Sequence, residues 1–254
     1  MFFQIIETSS AGNCAYLEHD GVNVLIDVGI GIRKIESYLA TRSLQLDDID
    51  AVFVTHEHID HRKSLKYFAN KRTRVFANRL TAESIVSLDS ATKGLLWNFF
   101  ENGYPFEFNG IEVCAFSVPH DTSDSVGYQF SMNGKNLVWM TDLGTPTHLV
   151  KDMARIANIL VLESNFCPRM LENSSRPYSL KKRIKSRHGH LSNADAIGII
   201  KELSEELVER IFLAHISREC NSVEHIAELL EDVGKMRERI EIVRPLSQSS
   251  VIEF

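Results

Sequence analysis

Short apolar runs alternate with amphipathic stretches along the whole chain. Residues 14–19 (CAYLEH) and 22–27 (VNVLID) read as strands and flank Asp20-Gly21, while 126–132 (VGYQFSM) and 136–141 (NLVWMT) flank Asn133-Gly134-Lys135. Asp-Gly and Asn-Gly between strand-like runs predict tight hairpins, because the central turn positions need left-handed backbone. Further apolar or β-branched runs at 51–55, 74–78, 111–118, 158–163, 210–215 and 240–243 predict strands. Apolar positions three and four apart predict helices near 32–42, 63–70, 80–90, 179–186, 194–208 and 223–237. Alternating strands and helices make the fold class α/β. No Ser/Gly/Pro-rich linker interrupts the pattern, so residues 1–254 are expected to form a single domain.

The pattern also repeats weakly. The first hairpin ends in DVG (27–29) and is followed by a helix, a strand and THEH; the second ends in DLG (142–144), followed by a helical stretch, a strand and ESN. Two similar halves would then face one another with polar strand ends along a common edge, where open α/β sheets usually build sites.

Composition narrows the setting. With 44% hydrophobic residues the chain can build a substantial core, and no apolar run approaches membrane-spanning length. The N-terminal MFFQIIETSS has too short an apolar run for a signal peptide and carries Glu7. Cys14, Cys114, Cys167 and Cys220 show no CxxC spacing, so reduced thiols and a cytoplasmic location are expected. The net charge of −6 is unevenly spread: residues 62–79 hold seven Lys/Arg and residues 173–194 hold six, with no acidic residue in either stretch. Outside these two basic islands the balance is 28 − 13 = 15 basic against 34 acidic residues.

The stretch AVFVTHEHIDH (51–61) carries the strongest chemical signal. Histidine is neither a strong helix former nor a preferred core residue, so packing does not explain three of them within six positions. His56 and His58, two apart, project to the same side of an extended chain, and Asp60 and His61 follow in the turn into the next helix. Imidazole and carboxylate together suit Zn²⁺, and also Mn²⁺ or Fe. His120, Asp142 and His215 each follow an apolar strand and could reach the same edge. Any one of them alone reads as a capping or hydrogen-bonded residue; the set points to metal.

THEHIDH resembles the HxHxDH signature of the metallo-β-lactamase-fold hydrolases, and the family's remaining order is present as Asp27, His120, Asp142 and His215. The resemblance implies a four-layer αββα sandwich with two divalent ions, zinc first among the candidates. It further implies that His56, His58 and His120 hold one ion, that Asp60, His61 and His215 hold the other, and that Asp142 bridges them. Asp27 would stand behind the histidines and fix their loop by hydrogen bonds. Only 72 residues separate Asp142 from His215, too few for an inserted accessory domain. SSAGNCAYLE (9–18), LESN (162–165) and SLKKRIKSRHGHLSNADA (179–196) resemble the YycJ/WalJ group of bacterial metallohydrolases, regarded as duplex-DNA 5′→3′ exonucleases. Relatives often carry a more polar pair where this chain has Phe166-Cys167, which bears on substrate preference.

The chemistry expected is direct attack of metal-bound hydroxide on a phosphodiester, with Asp60 as both ligand and orienting group. Ser192 and Asp195 have capping-box spacing before AIGIIKEL, so a helix begins there and offers free N–H groups to an anion. His190 beside that turn is the candidate to donate to a phosphate or leaving oxygen, with Ser192 and Asn193 as further substrate contacts. In SLKKRIK, Leu180 and Ile184 can face the core and leave Lys181, Lys182 and Lys185 outward for a phosphate backbone. Both basic islands would flank the metals, and the expected partner is nucleic acid, duplex DNA in particular, with neither a membrane nor an organic cofactor. Two other readings are a small-molecule hydrolase of cyclic phosphodiesters, thioesters or lactones, and a non-catalytic or oxygen-sensing metal protein of the same fold. The latter ranks last, because flavin-linked relatives need an added domain that this sequence does not show and all seven metal positions are intact.

Overall fold

Two seven-stranded sheets form the middle of the molecule. The computed structural model describes residues 1–253. The first sheet is laid down as β1 (Phe2–Glu7), β2 (Cys14–His19), β3 (Val22–Ile26), β4 (Ala51–Phe53), β5 (Arg74–Ala77) and β6 (Leu96–Phe99), side by side in that order. The second follows as β7 (Phe106–Phe108), β8 (Ile111–Ser117), β9 (Val126–Met132), β10 (Lys135–Met140), β11 (Ile159–Glu163), β12 (Arg210–Ala214) and β13 (Ile240–Ile242). The chain then returns to the first sheet as β14 (Ile252–Glu253), antiparallel to β1.

The two halves share one design. Hairpin β2–β3 closes through Asp20 (φ 50°) and Gly21 (φ 80°), and hairpin β9–β10 through Asn133 (φ 51°) and Gly134 (φ 73°). Left-handed backbone at both turn residues matches the right-handed strand twist, as expected of Asp-Gly and Asn-Gly. A third hairpin, β7–β8, closes the same way at Asn109-Gly110 and was not anticipated; β7 is only three residues long and gives little periodic signal. After each large hairpin the chain crosses over a helix to a parallel neighbour: α1 (Ile32–Thr41) links β3 to β4, while α2 (Ile59–Arg62) and α3 (Arg79–Leu88) follow. In the second half α4 (His148–Arg155) links β10 to β11.

Alternation within the central strands produces the layers. Val24 and Ile26 of β3 join Leu137 and Trp139 of β10 in a core between the sheets, together with Phe3, Phe53, Phe130 and Phe212. Leu25 points the other way, into a core under α1 and α3, and Val138 and Met140 do the same under α4 and the C-terminal helices. Those helices are α5 (Pro168–Asn173), α6 (Tyr178–Ile184), α7 (Asn193–Ile200) and α8 (Val223–Leu229). The order helix, sheet, sheet, helix is the αββα sandwich.

Three expected helices end differently. Instead of a helix over 63–70, α2 spans 59–62, and only a 3₁₀ turn covers Leu65–Phe68. The Ser64 amide donates to Val28 O (2.9 Å) and its hydroxyl to Ile30 O (2.6 Å), which pulls the chain off the helical path. The helix expected to reach 208 stops at Ile200, where Glu202 N→Ile199 O and Leu203 N→Ile200 O bonds tighten it into 3₁₀ turns. The helix expected to reach 237 is α only to Leu229 and continues as 3₁₀ turns broken at Gly234, whose φ is 60°.

Candidate metal centre

The site lies at the seam between the sheets, at the C-terminal ends of β3, β4, β8, β10, β11 and β12. Three of its residues hold left-handed backbone where their strands stop: Asp27 (φ 55°), Asp142 (φ 56°) and His215 (φ 53°). Such conformations are uncommon for residues with a Cβ and cluster where the surrounding structure fixes them.

The histidine loop is held from behind. Asp27 is fully buried; Oδ1 accepts from the Thr55 amide (2.9 Å), and Oδ2 lies 2.7 Å from His61 Nδ1 and 2.9 Å from the Thr55 hydroxyl. That hydroxyl also lies 3.0 Å from His56 Nδ1. At the opposite wall His120 Nδ1 donates to Gly189 O (2.9 Å), and His215 Nδ1 to Glu163 Oε1 (2.8 Å). These partners assign one tautomer to His56, His61, His120 and His215, with Nδ1–H facing protein and Nε2 facing the centre. His58 turns the other way, its Nδ1 3.1 Å from His56 Nε2.

The donor atoms converge as four overlapping groups, each with all its atoms within 4.8 Å of one another: His56, His58 and His120; His56, His61 and Asp142; Asp60, His61 and His215; and Asp142, Glu163, His190 and His215. Every residue expected to ligate is among them. Three buried donor atoms in the centre, His120 Nε2, Asp142 Oδ2 and His215 Nε2, make no hydrogen bond among the described residues. Asp142 Oδ2 lies 3.0 Å from His61 Nε2, but not at hydrogen-bonding geometry. Leaving such atoms unsatisfied costs about 1–3 kcal/mol each, and more for a charged group. A divalent cation with imidazole and carboxylate ligands satisfies all three at once, so the residues fit the group.

Electrostatics divide the imidazoles into two sets. Burial pushes His58 and His120 below the ordinary histidine range, and His56 well below it with help from the neighbouring His61. Burial also opposes charge on His61, but the carboxylates of Asp27, Asp142 and Asp60 outweigh it and hold this imidazole well above its usual value. His215 is pushed up to about 10, burial being overcome by Asp142, Asp60 and Glu163. Against its own desolvation, Asp142 is held well below the carboxylate range by His215 and His61.

Glu163 is the participant that sequence reasoning missed. It is fully buried at the end of β11; Oε1 takes both His190 Nδ1 and His215 Nδ1 at 2.8 Å, and Oε2 accepts the Leu143 and Leu191 amides at 3.0 Å. Its signal was its place in LESN, the counterpart of THEH in the repeated pattern. Asn13, in the SSAGNC stretch, was also passed over; its Nδ2 lies 3.1 Å from His61 Nε2.

Other candidates sit elsewhere. His190 lines the cavity over the centre, as do His58, Asp60 and His215, but Ser192, Asn193, Lys181 and Lys182 do not. Ser192 caps α7, accepting the Asp195 amide, and Asn193 is buried in a reciprocal amide pair with Asn221. Lys181 Nζ donates to Glu172 O, and Lys185 is paired with the Glu172 carboxylate. No residue of the first basic island lines the cavity: Arg62 is buried with Nε on Glu57 O (2.6 Å), and Arg72 and Arg74 line a separate cavity with Asp47, Asp48 and Asp50. Phe166 and Cys167 are both buried, Phe166 in a small core with Leu171 and Ile184, so neither presents a side chain to substrate.

Residues 22–216 match the family model described as a beta-lactamase superfamily domain. The chain belongs to that superfamily. It is 31% identical to exodeoxyribonuclease YycJ of Bacillus anthracis over 92% of this chain and 90% of that protein. Identity to exodeoxyribonuclease WalJ of Streptococcus pneumoniae is 32%, over 89% of this chain and 85% of the relative. Among solved structures, Zn(2+)-bound PqqB from Methylobacterium extorquens matches with a TM-score of 0.77 at 15% identity, covering 100% of both chains, a likeness of fold. This is a metal-dependent hydrolase of the metallo-β-lactamase fold, a fold that implies divalent ions at the His/Asp clusters described above.

Proposed function

We propose that the protein is a dinuclear metal-dependent phosphodiesterase acting on nucleic acid, specifically a DNA 5′→3′ exonuclease that engages duplex DNA through its phosphates. In this reading His56, His58 and His120 hold one ion, Asp60, His61 and His215 the other, and Asp142 lies between them. Zinc is the proposed metal, with Mn or Fe sharing the same donor preferences. The whole chain works as one domain without an inserted accessory domain and without an organic cofactor; four free thiols support a cytoplasmic setting.

The observation that carries the reading is the convergence of seven donor residues, three of them with a buried donor atom left unsatisfied, in a chain whose relatives are named exodeoxyribonucleases. Divalent ions bound there supply a water of lowered pKa and a Lewis-acid clamp on a phosphate oxygen. The chain's own groups do the rest. Asp60 lines the cavity with its side chain 21% exposed, placed to hold the attacking water by a hydrogen bond. Glu163 fixes His190 through Nδ1, which leaves Nε2 for a phosphate or leaving oxygen, and, overcoming the effect of burial, it raises the pKa of this imidazole above the ordinary value.

At about 270 Å³ the cavity lies below the ~300–1,000 Å³ typical of pockets that enclose a whole drug-sized ligand, so a polynucleotide would place only its reacting end there. Relatives named exodeoxyribonucleases favour that substrate over a thioester, lactone or cyclic phosphodiester. The test is cleavage of 5′-phosphorylated duplex DNA, single-stranded RNA and a small aryl phosphodiester by metal-loaded protein, with Asp60→Asn as control. Duplex degradation that Asp60→Asn abolishes is expected; activity confined to a thioester or lactone would sink the proposal.

A further inference from the structure

Only one basic residue of the second island lines the metal-facing cavity, and it is Arg183. Its Nε donates to Asp121 Oδ2, and Asp121 Oδ1 lies 3.5 Å from His120 Nε2. Among the described residues no protein acceptor takes either Nη group. The guanidinium is thus anchored at one edge and open at the other, with its side chain 55% exposed at the mouth of the site. Lys181 on the same helix and Lys185 just past its end are turned to Glu172, and Arg176 is bound to Glu219.

We propose that Arg183, aimed by Asp121, grips the substrate phosphate adjacent to the scissile one. This rests on the nuclease reading above. A guanidinium fixed through Nε presents its two Nη groups as a planar fork, which matches two oxygens of a phosphate in a way a lysine ammonium does not. It lies at the rim of the same cavity, set off from His120 by the Asp121 carboxylate. A flanking phosphate requires a substrate with at least two phosphates in a row, which selects polynucleotide over any isolated phosphodiester. Asp121 is a positioning residue here: it touches Arg183, and Arg183 touches substrate.

The experiment compares two substrates on metal-loaded protein, a 5′-phosphorylated DNA duplex and an aryl phosphodiester with a single phosphate. Arg183→Ala is expected to raise KM for the duplex about 10- to 100-fold, the range for losing hydrogen bonds to a charged group, with kcat little changed. The aryl substrate should be turned over by the variant as by the wild type. Arg183→Lys should restore the charge but only part of the KM. Binding to a cleavage-resistant phosphorothioate duplex should lose ~0.9 from the slope of log K against log salt in Arg183→Ala and keep it in Arg183→Lys. Unchanged duplex KM and salt slope would reduce the Arg183–Asp121 pair to a surface ion pair and overturn the proposal. Equal losses on both substrates would overturn it too, by putting Arg183 on the scissile phosphate or in a merely structural role. Failure of the nuclease reading looks different, since wild-type protein would then leave the duplex intact.

Discussion

On the proposed ligand assignment, Gly29→Ala perturbs one of the two ion sites and spares the other. Gly29 ends the DVG run, and the loop carrying Asp60 and His61 lies directly on its backbone. A Cβ built there would fall 1.6 Å from Asp60 O, 2.1 Å from Asp60 C and 2.6 Å from His61 N. Backbone cannot rotate aside as a side chain can, so the Asp60–His61 peptide has to withdraw by about 1.8 Å to restore ordinary contact near 3.4 Å. That withdrawal also strains the Asn13 N→Asp60 O and Gly29 N→Asn13 O bonds, both 2.8 Å. Overpacking costs ~1–3 kcal/mol, and with backbone against backbone the upper end applies. At ~2–4 °C per kcal/mol for a chain of this size, Tm should fall by about 6–12 °C. The larger effect is on function, because a misplacement of ~1 Å costs on the order of 100-fold in rate. His56, His58 and His120 do not rest on Gly29, so metal content after dialysis should drop from two ions per chain toward one. Gly31→Ala is the control: two residues along, nothing lies within 4 Å of the new methyl group, and no change is expected. Metal analysis, duplex cleavage and thermal melting of both variants decide the matter. Two retained ions with turnover within about threefold of wild type would refute the steric reasoning.

Gly144→Ala should act on the opposite wall, since its Cβ would fall 2.4 Å from Gly189 N and 2.6 Å from Arg187 O. It is expected to displace His190 and, because His120 Nδ1 donates to Gly189 O, to loosen the His120 ligand as well, so both kcat and retained metal should fall, as metal analysis beside kinetics would reveal. Glu163→Gln leaves one oxygen for the imidazoles of His190 and His215 and turns an NH₂ toward the Leu143 and Leu191 amides. Metal affinity or turnover should fall ~10- to 100-fold, and competition with a chelator measures it. The raised pKa of His215, about 10, gives metal-free protein a stability term that is complete below the unfolded histidine value of ~6.5 and is lost as pH rises toward 10. Metal-free protein should therefore melt at lower temperature at pH 9 than at pH 6. Loading must expel that proton, so the binding heat should vary with buffer ionisation enthalpy; heats equal across buffers would count against a protonated His215.

Legibility in the sequence followed the strength of local signals. His56, His58 and His61 stood out because neither helix propensity nor core packing accounts for them, and Asp20-Gly21 and Asn133-Gly134 because so few residues tolerate two consecutive left-handed conformations. Glu163 did not stand out: a carboxylate closing an apolar strand looks the same whether it meets water or, as here, two imidazoles and two amides. Ser192 and Asn193 carried a genuine signal with two meanings, and the cap and the Asn221 pair took both side chains. In SLKKRIK the helical period separates buried Ile184 from its neighbours but ranks none of the basic ones. Glu172, nine residues back, takes Lys181, and Asp121, 62 residues away, takes Arg183; neither pairing is visible in the helical period. The early end of α7 is made by i→i−3 bonds from the Glu202 and Leu203 amides, a change of backbone path that the apolar period does not announce.

The repeated DxG shows how one backbone device serves two chemical ends. Asp27 and Asp142 close equivalent hairpins with nearly equal φ, 55° and 56°, and each is followed two residues later by a glycine pressed against the opposing loop. Backbone geometry alone would make them interchangeable. What separates them is the strand end beside each. Beside Asp27 stands Thr55, whose amide and hydroxyl, with His61 Nδ1, occupy its oxygens. Beside Asp142 stands Glu163, which accepts the Leu143 and Leu191 amides and the Nδ1–H groups of His190 and His215, the imidazole nitrogens 3.4 Å from Asp142 Oδ1; Asp142 Oδ2 makes no hydrogen bond either. A carboxylate already satisfied by donors can only orient its neighbours, whereas one stripped of donors in a buried cluster of imidazoles is poised for a cation. The division of labour between the two aspartates therefore resides in Thr55 and Glu163, residues that a ligand motif does not include.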